Sequence, residues 1–90
     1  KTVKVEGMEN YYTEYKPHTV HMFIAPEGAP SFPEHQDPTD LIIKCIEGTK
    51  TIEVNGELFK IKQGESIHIP ANVPHRATNE YASITLSIGD

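Results

Sequence analysis

Hydrophobic positions in this chain recur in short runs that alternate with polar residues and stop at turn formers. A β-rich run from Thr19 to Ala25, TVHMFIA, is followed by Pro26, Gly28, Pro30, Pro33 and Pro38. Prolines this dense exclude a helix and mark a structured loop or an extended edge. An isoleucine-rich strand is predicted from Leu41 to Glu47, ending at Gly48. Two more, Thr49 to Val54 and Glu57 to Ile61, are joined by Asn55-Gly56. That dipeptide is the strongest short-range hairpin signal, because both central residues of a type I′ turn need φ > 0. Gly64-Glu65 turns the chain into a strand carrying Ile67 and Ile69, and a further strand opens on His75. Ala82 to Ile88 closes the pattern with alternating Ile84, Leu86 and Ile88. The stretch up to about Tyr15 is polar, with Tyr11, Tyr12 and Tyr15 clustered. A short helical turn and an edge strand both fit it, since periodicity does not decide between them.

Short strands at regular spacing, with no amphipathic helix, predict an all-β fold of antiparallel strands, a sandwich or barrel. Ninety residues make a single domain, 1–90, with 1–18 an N-terminal arm or edge strand and 19–90 the barrel. Composition narrows the functions. A hydrophobic share of 37% and a charged share of 23% fit a soluble globular chain. A net charge of −5 with one arginine, Arg76, argues against nucleic acid as a partner, since phosphate recognition needs clustered Lys and Arg. Cys45 is alone, so no intrachain disulfide is expected, and nothing around it activates a thiol. The longest apolar runs, such as Leu41-Ile42-Ile43, fall far short of the ~20 residues of a membrane helix. No membrane association is expected, and the cytoplasm is the default location. The chain begins at Lys1 and not at Met, which suits a processed chain or a domain excised from a longer protein.

The chemistry centres on Gly64 to Asn79. Pro70 and Pro74 bracket the turn, each fixing its own φ and restricting the residue before it. His75 is thereby delivered at one defined place. In His35-Gln36-Asp37 a histidine and a carboxylate stand two apart, on one face if the segment is extended, and Pro38 pushes Asp37 that way. With a histidine from another strand they could cap three positions of a metal, leaving others open. Two histidines and a carboxylate suit non-haem iron, and imidazole and carboxylate also serve zinc, manganese and nickel. On spacing alone, the reading of His35 and Asp37 as a solvated Asp-Pro turn carries more weight. Among the other histidines, His21 shares strand parity with Phe23 and Ala25 and reads as a core or pocket-rim residue. His68 alternates against Ile67 and Ile69 and faces solvent or an interface. His18 reads as a surface residue. No catalytic triad can be assigned, and no phosphate-cradling glycine loop is present.

Gly64, Pro70, His75 and Asn79 match, at the family spacing, the second motif of the cupin superfamily, which this chain resembles from about Val20 to Ile88. Asn72 stands where that motif usually has glycine, a mild departure if the position needs φ > 0. The first motif has a weaker footprint: Gly28 and Gly48 fit its ends, and His35 and Asp37 fall where its His-x-His pair belongs. Its glutamate position falls on Leu41, which cannot bind a metal. Asp40 is adjacent but faces the other way unless a bulge intervenes.

The resemblance implies a double-stranded β-helix, or jelly-roll barrel, with the site at its mouth or interior. It implies a homodimer, commonly formed by exchange of N-terminal strands. It also implies His35, Asp37 and His75 brought together inside one barrel, around a divalent metal ion (Fe, Mn, Zn or Ni). Strand parity gives His21, Phe23, Ile43, Cys45 and Ala77 as pocket residues for a small-molecule ligand. Two functions follow as expectations. One is a metal-dependent oxygenase, isomerase, lyase or decarboxylase acting on a small polar substrate. The other is a ligand-sensing or regulatory module without metal or catalysis, which the leucine at position 41 favours.

Overall fold

The strand signals above resolve into eight strands in a computed structural model that describes residues 2–5, 8–15 and 18–89, with side chains described from 19 to 89. They are β1 (Thr2–Val5), β2 (Met8–Tyr15), β3 (His18–Ala25), β4 (Leu41–Val54), β5 (Glu57–Lys62), β6 (Ser66–Ile69), β7 (His75–Thr78) and β8 (Ser83–Gly89). Every pairing is antiparallel, and no helix is present among the described residues, so none is there to cross a membrane. The all-β expectation is met. The N-terminal stretch is strand and not a helical turn: β1 pairs with β2, β2 with β3, and β3 with β8. The side chains of the tyrosine cluster and of His18 lie outside the described residues.

The two strands expected on either side of Gly48 are one strand of 14 residues, β4. The reason is geometric. Gly48 takes φ +80, a conformation that bends the chain without ending its ladder. The first half of β4, up to Gly48, lies between β8 and β6, and the second half, from Thr49, lies between β5 and β7. A single strand therefore belongs to both sheets and folds them face to face. The hairpin forms as the dipeptide requires, with Asn55 at φ 50, Gly56 at φ 84 and Val54 opposite Glu57.

Between the two sheets, Ile43 and Cys45 of β4 and Ile69 of β6 meet Ile52 from the second half of β4 and Ile61 of β5. Leu41, Val54, Ile67, Val73 and Ala77 pack around them. The register against β8 shifts between Cys45 and Glu47. Before that bulge the odd residues Ile43 and Cys45 point inward; after it the even residues face the interior, Ile52 in the core and Lys50 on a cavity wall, while Thr51 between them, though buried, belongs to neither. This reversal of parity decides what lines the interior.

Candidate metal centre and cavity

Three backbone connections dock the proline-rich loop onto the turn before β7 and onto β7 itself. His35 and His75 exchange both N–H···O bonds, at 3.0 and 2.8 Å, as a single antiparallel bridge. The Asp37 carbonyl accepts the Asn72 N–H at 2.7 Å, and the Asn79 carbonyl accepts the Gly28 N–H at 2.7 Å. Asn72 can offer its amide there because it sits at φ 64, the left-handed geometry expected for this position. The stiff loop thus brings His35 and Asp37 to the first residue of β7.

The side chains of His35, Asp37 and His75 converge, each offering a ligand atom within 4.8 Å of the others. The Asp37 Oδ2 is 3.4 Å from His75 Nε2 and 3.9 Å from His35 Nε2. The two rings meet edge to face at 4.4 Å. In each ring Nδ1 lies 3.0 Å from a backbone carbonyl, Pro33 for His35 and Val73 for His75. A carbonyl can only accept, so Nδ1 carries the proton and the Nε2 of a neutral ring keeps its lone pair, the arrangement found in metal-ligating histidines. His75 is 3% exposed, and its Nε2 has no hydrogen-bond partner among the described residues. A buried polar atom left unpaired costs about 1–3 kcal/mol, so its presence calls for an explanation, and an ion is one. These donors fit a divalent metal.

Leu41, at the family's glutamate position, lines the same cavity and supplies no ligand. Asp40 does not substitute for it. Its carboxylate is turned outward, where it accepts the Ala71 N–H at 2.9 Å and His68 Nε2–H at 3.0 Å. The Ala71 bond, and then His68, hold the Asp40 carboxyl below the usual carboxylate range. A lowered folded-state pKa gives stability that is present above the ordinary aspartate pKa and is lost as pH falls through the lowered one. Asp40→Asn keeps the acceptor and removes the titration. Its melting temperature should lie slightly below that of the wild type at neutral pH, and the gap should close on acidification below about pH 4. Thermal melts from neutral pH to pH 2 check this, and a gap that widens in acid would contradict it.

Beside the three donors lies a cavity of about 520 Å³. Its walls include His21, Phe23, Ile43 and Ala77, four of the residues expected from parity, together with Ser31, Phe32 and Pro33 from the loop. Phe23 stacks against His21 at 5.8 Å and meets Phe32 edge-on at 6.2 Å. Cys45 is a correction. It is absent from the wall and wholly buried in the core, its thiol donating to the Glu47 and Gly48 carbonyls at the bulge. Besides the loop residues, sequence reasoning missed Lys50, Asn79, and Thr85 and Ser87 of β8 on the wall. Lys50 falls on the outer face if the alternation from Ile43 and Cys45 is extended. The signal that could have found it is its parity with Ile52 and Val54, the apolar face of its own hairpin strand. Asn79 matches the family motif, but the motif alone does not place it on a cavity wall.

Comparison with known proteins follows the same lines. A family model described as a cupin domain matches residues 20–88. No curated protein sequence matches the chain. Among solved structures, an RmlC-like cupin from Shewanella frigidimarina superposes with a TM-score of 0.87 at 16% identity, covering 99% of this chain and 81% of that one. KdgF from a Halomonas species gives 0.83 at 19% identity, over 99% and 84%. A salicylate 1,2-dioxygenase from Pseudaminobacter salicylatoxidans gives 0.80 at 16% identity, over 93% of this chain and 26% of that one. At these identities the structural likeness establishes a shared fold.

Proposed function

The chain belongs to the cupin family, and from that premise we propose that its barrel holds a divalent metal beside a pocket for a small molecule. The observation that carries this reading is the pair of imidazoles whose Nδ1 atoms are tied to backbone carbonyls while both Nε2 atoms face one carboxylate. His35, Asp37 and His75 would hold the ion, with iron, manganese, zinc and nickel all compatible with the donor set. Bound there, the ion supplies Lewis acidity or oxygen activation, the chemistry of an oxygenase, isomerase, lyase or decarboxylase. The chain's own residues do the rest. Phe23, Phe32 and Leu41 form an apolar wall that excludes water, and the loop-borne His35 and Asp37 set where a bound molecule can approach.

Leu41 favours a second reading, a ligand-sensing module without metal. Metal analysis by mass spectrometry separates the two, on protein purified without an affinity tag and then offered iron, manganese, zinc or nickel. Stoichiometric metal supports the first reading. A barrel that stays empty with all four sinks it and leaves the sensing module. Leu41→Glu supplies the missing carboxylate on the cavity wall. It should tighten metal binding by roughly 10-fold or more, the least that even an ordered outer-shell partner is worth. Competition against a chelator of known affinity reads this, and an unchanged affinity would show that position 41 does not reach the ion.

A further inference from the structure

We propose that Lys50 is an anion-binding residue of this cavity and that the molecule bound there carries a carboxylate. Lys50 lines the cavity and is 5% exposed. Its Nζ donates to the side-chain oxygen of Asn79. The Asn79 amide nitrogen in turn donates to the carbonyls of Ala29 and Pro30, each at 3.1 Å. Those two bonds fix the orientation of Asn79, so that it can present only its oxygen to the lysine. An ammonium has three donors, and among the described residues Asn79 is the one hydrogen-bond acceptor of Lys50.

No carboxylate among the described residues lies within ion-pair distance of Lys50. The nearby Cys45 thiol is kept neutral by burial. Burial likewise pulls the Lys50 ammonium below the ordinary lysine range, as expected for a cation sheltered from water without a counter-ion. Buried charges in proteins are paired or bind something that pairs them. Here the pairing group must come from the cavity side. The chemistry of the wall selects its class. One ammonium, with the hydroxyls of Ser31 and Ser87 and the apolar Phe23, Phe32 and Ile43 on the same wall, suits a carboxylate on a largely apolar body.

The inference rests on the cavity being a small-molecule site and not on the metal. It is therefore tested on chelator-treated protein, with metal loading measured separately. Benzoate and its neutral isostere benzamide are titrated calorimetrically into the wild type, Lys50→Met and Lys50→Gln, each checked for folding by circular dichroism. Wild type should prefer benzoate by roughly 10- to 150-fold, the worth of one hydrogen bond to a charged group. Both variants should lose that preference while still binding benzamide as the wild type does. Lys50→Gln keeps a donor for Asn79, so it covers the case in which Lys50→Met does not fold. A wild type that binds neither probe, or both equally, overturns the proposal. So does a preference that survives in Lys50→Gln, or a borohydride-trapped adduct of Lys50 with pyruvate, which would make the amine a nucleophile. A benzoate preference in a chain that takes up no metal would leave this inference standing and remove the metal reading.

Discussion

His75→Ala should come through purification without stoichiometric metal and bind added metal at least about 100-fold more weakly than wild type. Even an outer-shell partner of a ligand is typically worth 10- to 100-fold, and His75 is a proposed ligand itself. Of the three donors, His75 is the innermost, with its Nδ1 tied to the Val73 carbonyl and its Nε2 unpaired and aimed at Asp37. The other two are about half exposed and sit on the docked loop, so they cannot hold an ion in one geometry alone. Stability provides an independent readout. A metal at 100 times its Kd stabilises a folded chain by about 2.7 kcal/mol. That would raise the melting temperature by roughly 10–20 °C for a domain of this size. Wild type should show that rise on adding metal, and His75→Ala should show none. The backbone bridge to His35 does not depend on the ring, so the variant should still fold. Asp37→Asn, a conservative change at a half-buried loop residue, provides a second test without any void in the core. Metal retained by His75→Ala at wild-type affinity would remove His75 from the site.

The donors of this site were legible in the sequence because each is tied to a local rule. The prolines around residues 70–74 deliver His75 at the start of β7, and extended geometry before Pro38 puts His35 and Asp37 on one face. The hairpin was legible for the same reason, since Asn55-Gly56 meets a backbone demand that few dipeptides meet. What local rules do not carry is parity across an irregularity. Alternation counted forward from Ile43 places Cys45 on the cavity wall and Lys50 outside. The bulge after Cys45 brings Lys50 to the wall, while Cys45 points inward as parity requires but lies in the core beyond the cavity. The irregularity shows only in the pairing of β4 with β8, where the register shifts between Cys45 and Glu47. The N-terminal strands were ambiguous for a related reason. They lie at the outer end of a sheet, and which strand they pair with cannot be read from their own polar pattern.

Gly48→Ala should be the most destabilising single substitution in the barrel outside the apolar core. At φ +80 an L side chain is strained by about 1–3 kcal/mol. In addition, the new Cβ would lie 2.1 Å from the Ala82 carbonyl oxygen and 3.1 Å from both the Ala82 carbonyl carbon and Ser83 Cα. These are backbone atoms of the neighbouring strand region and cannot swing aside as a side chain would. Relief requires moving β8 away from β4 where β4 passes from one sheet to the other, at the Gly48–Ser83 pair. Overpacking of this kind typically costs a further 1–3 kcal/mol. A total near 4 kcal/mol is most of the stability of a small domain, which begins at about 5 kcal/mol. The melting temperature should fall by roughly 15–30 °C. The same movement would disturb the parity reversal that separates Cys45 from Lys50, so benzoate discrimination should weaken in whatever fraction stays folded. Gly64→Ala isolates the two contributions. Gly64 has φ +87, and a Cβ added there would meet nothing within 4 Å, so that variant bears the backbone strain and no clash. Denaturant unfolding of the two variants side by side gives the difference. If Gly48→Ala proved no less stable than Gly64→Ala, the close approach of the Ala82 carbonyl would not be what reserves this position for glycine.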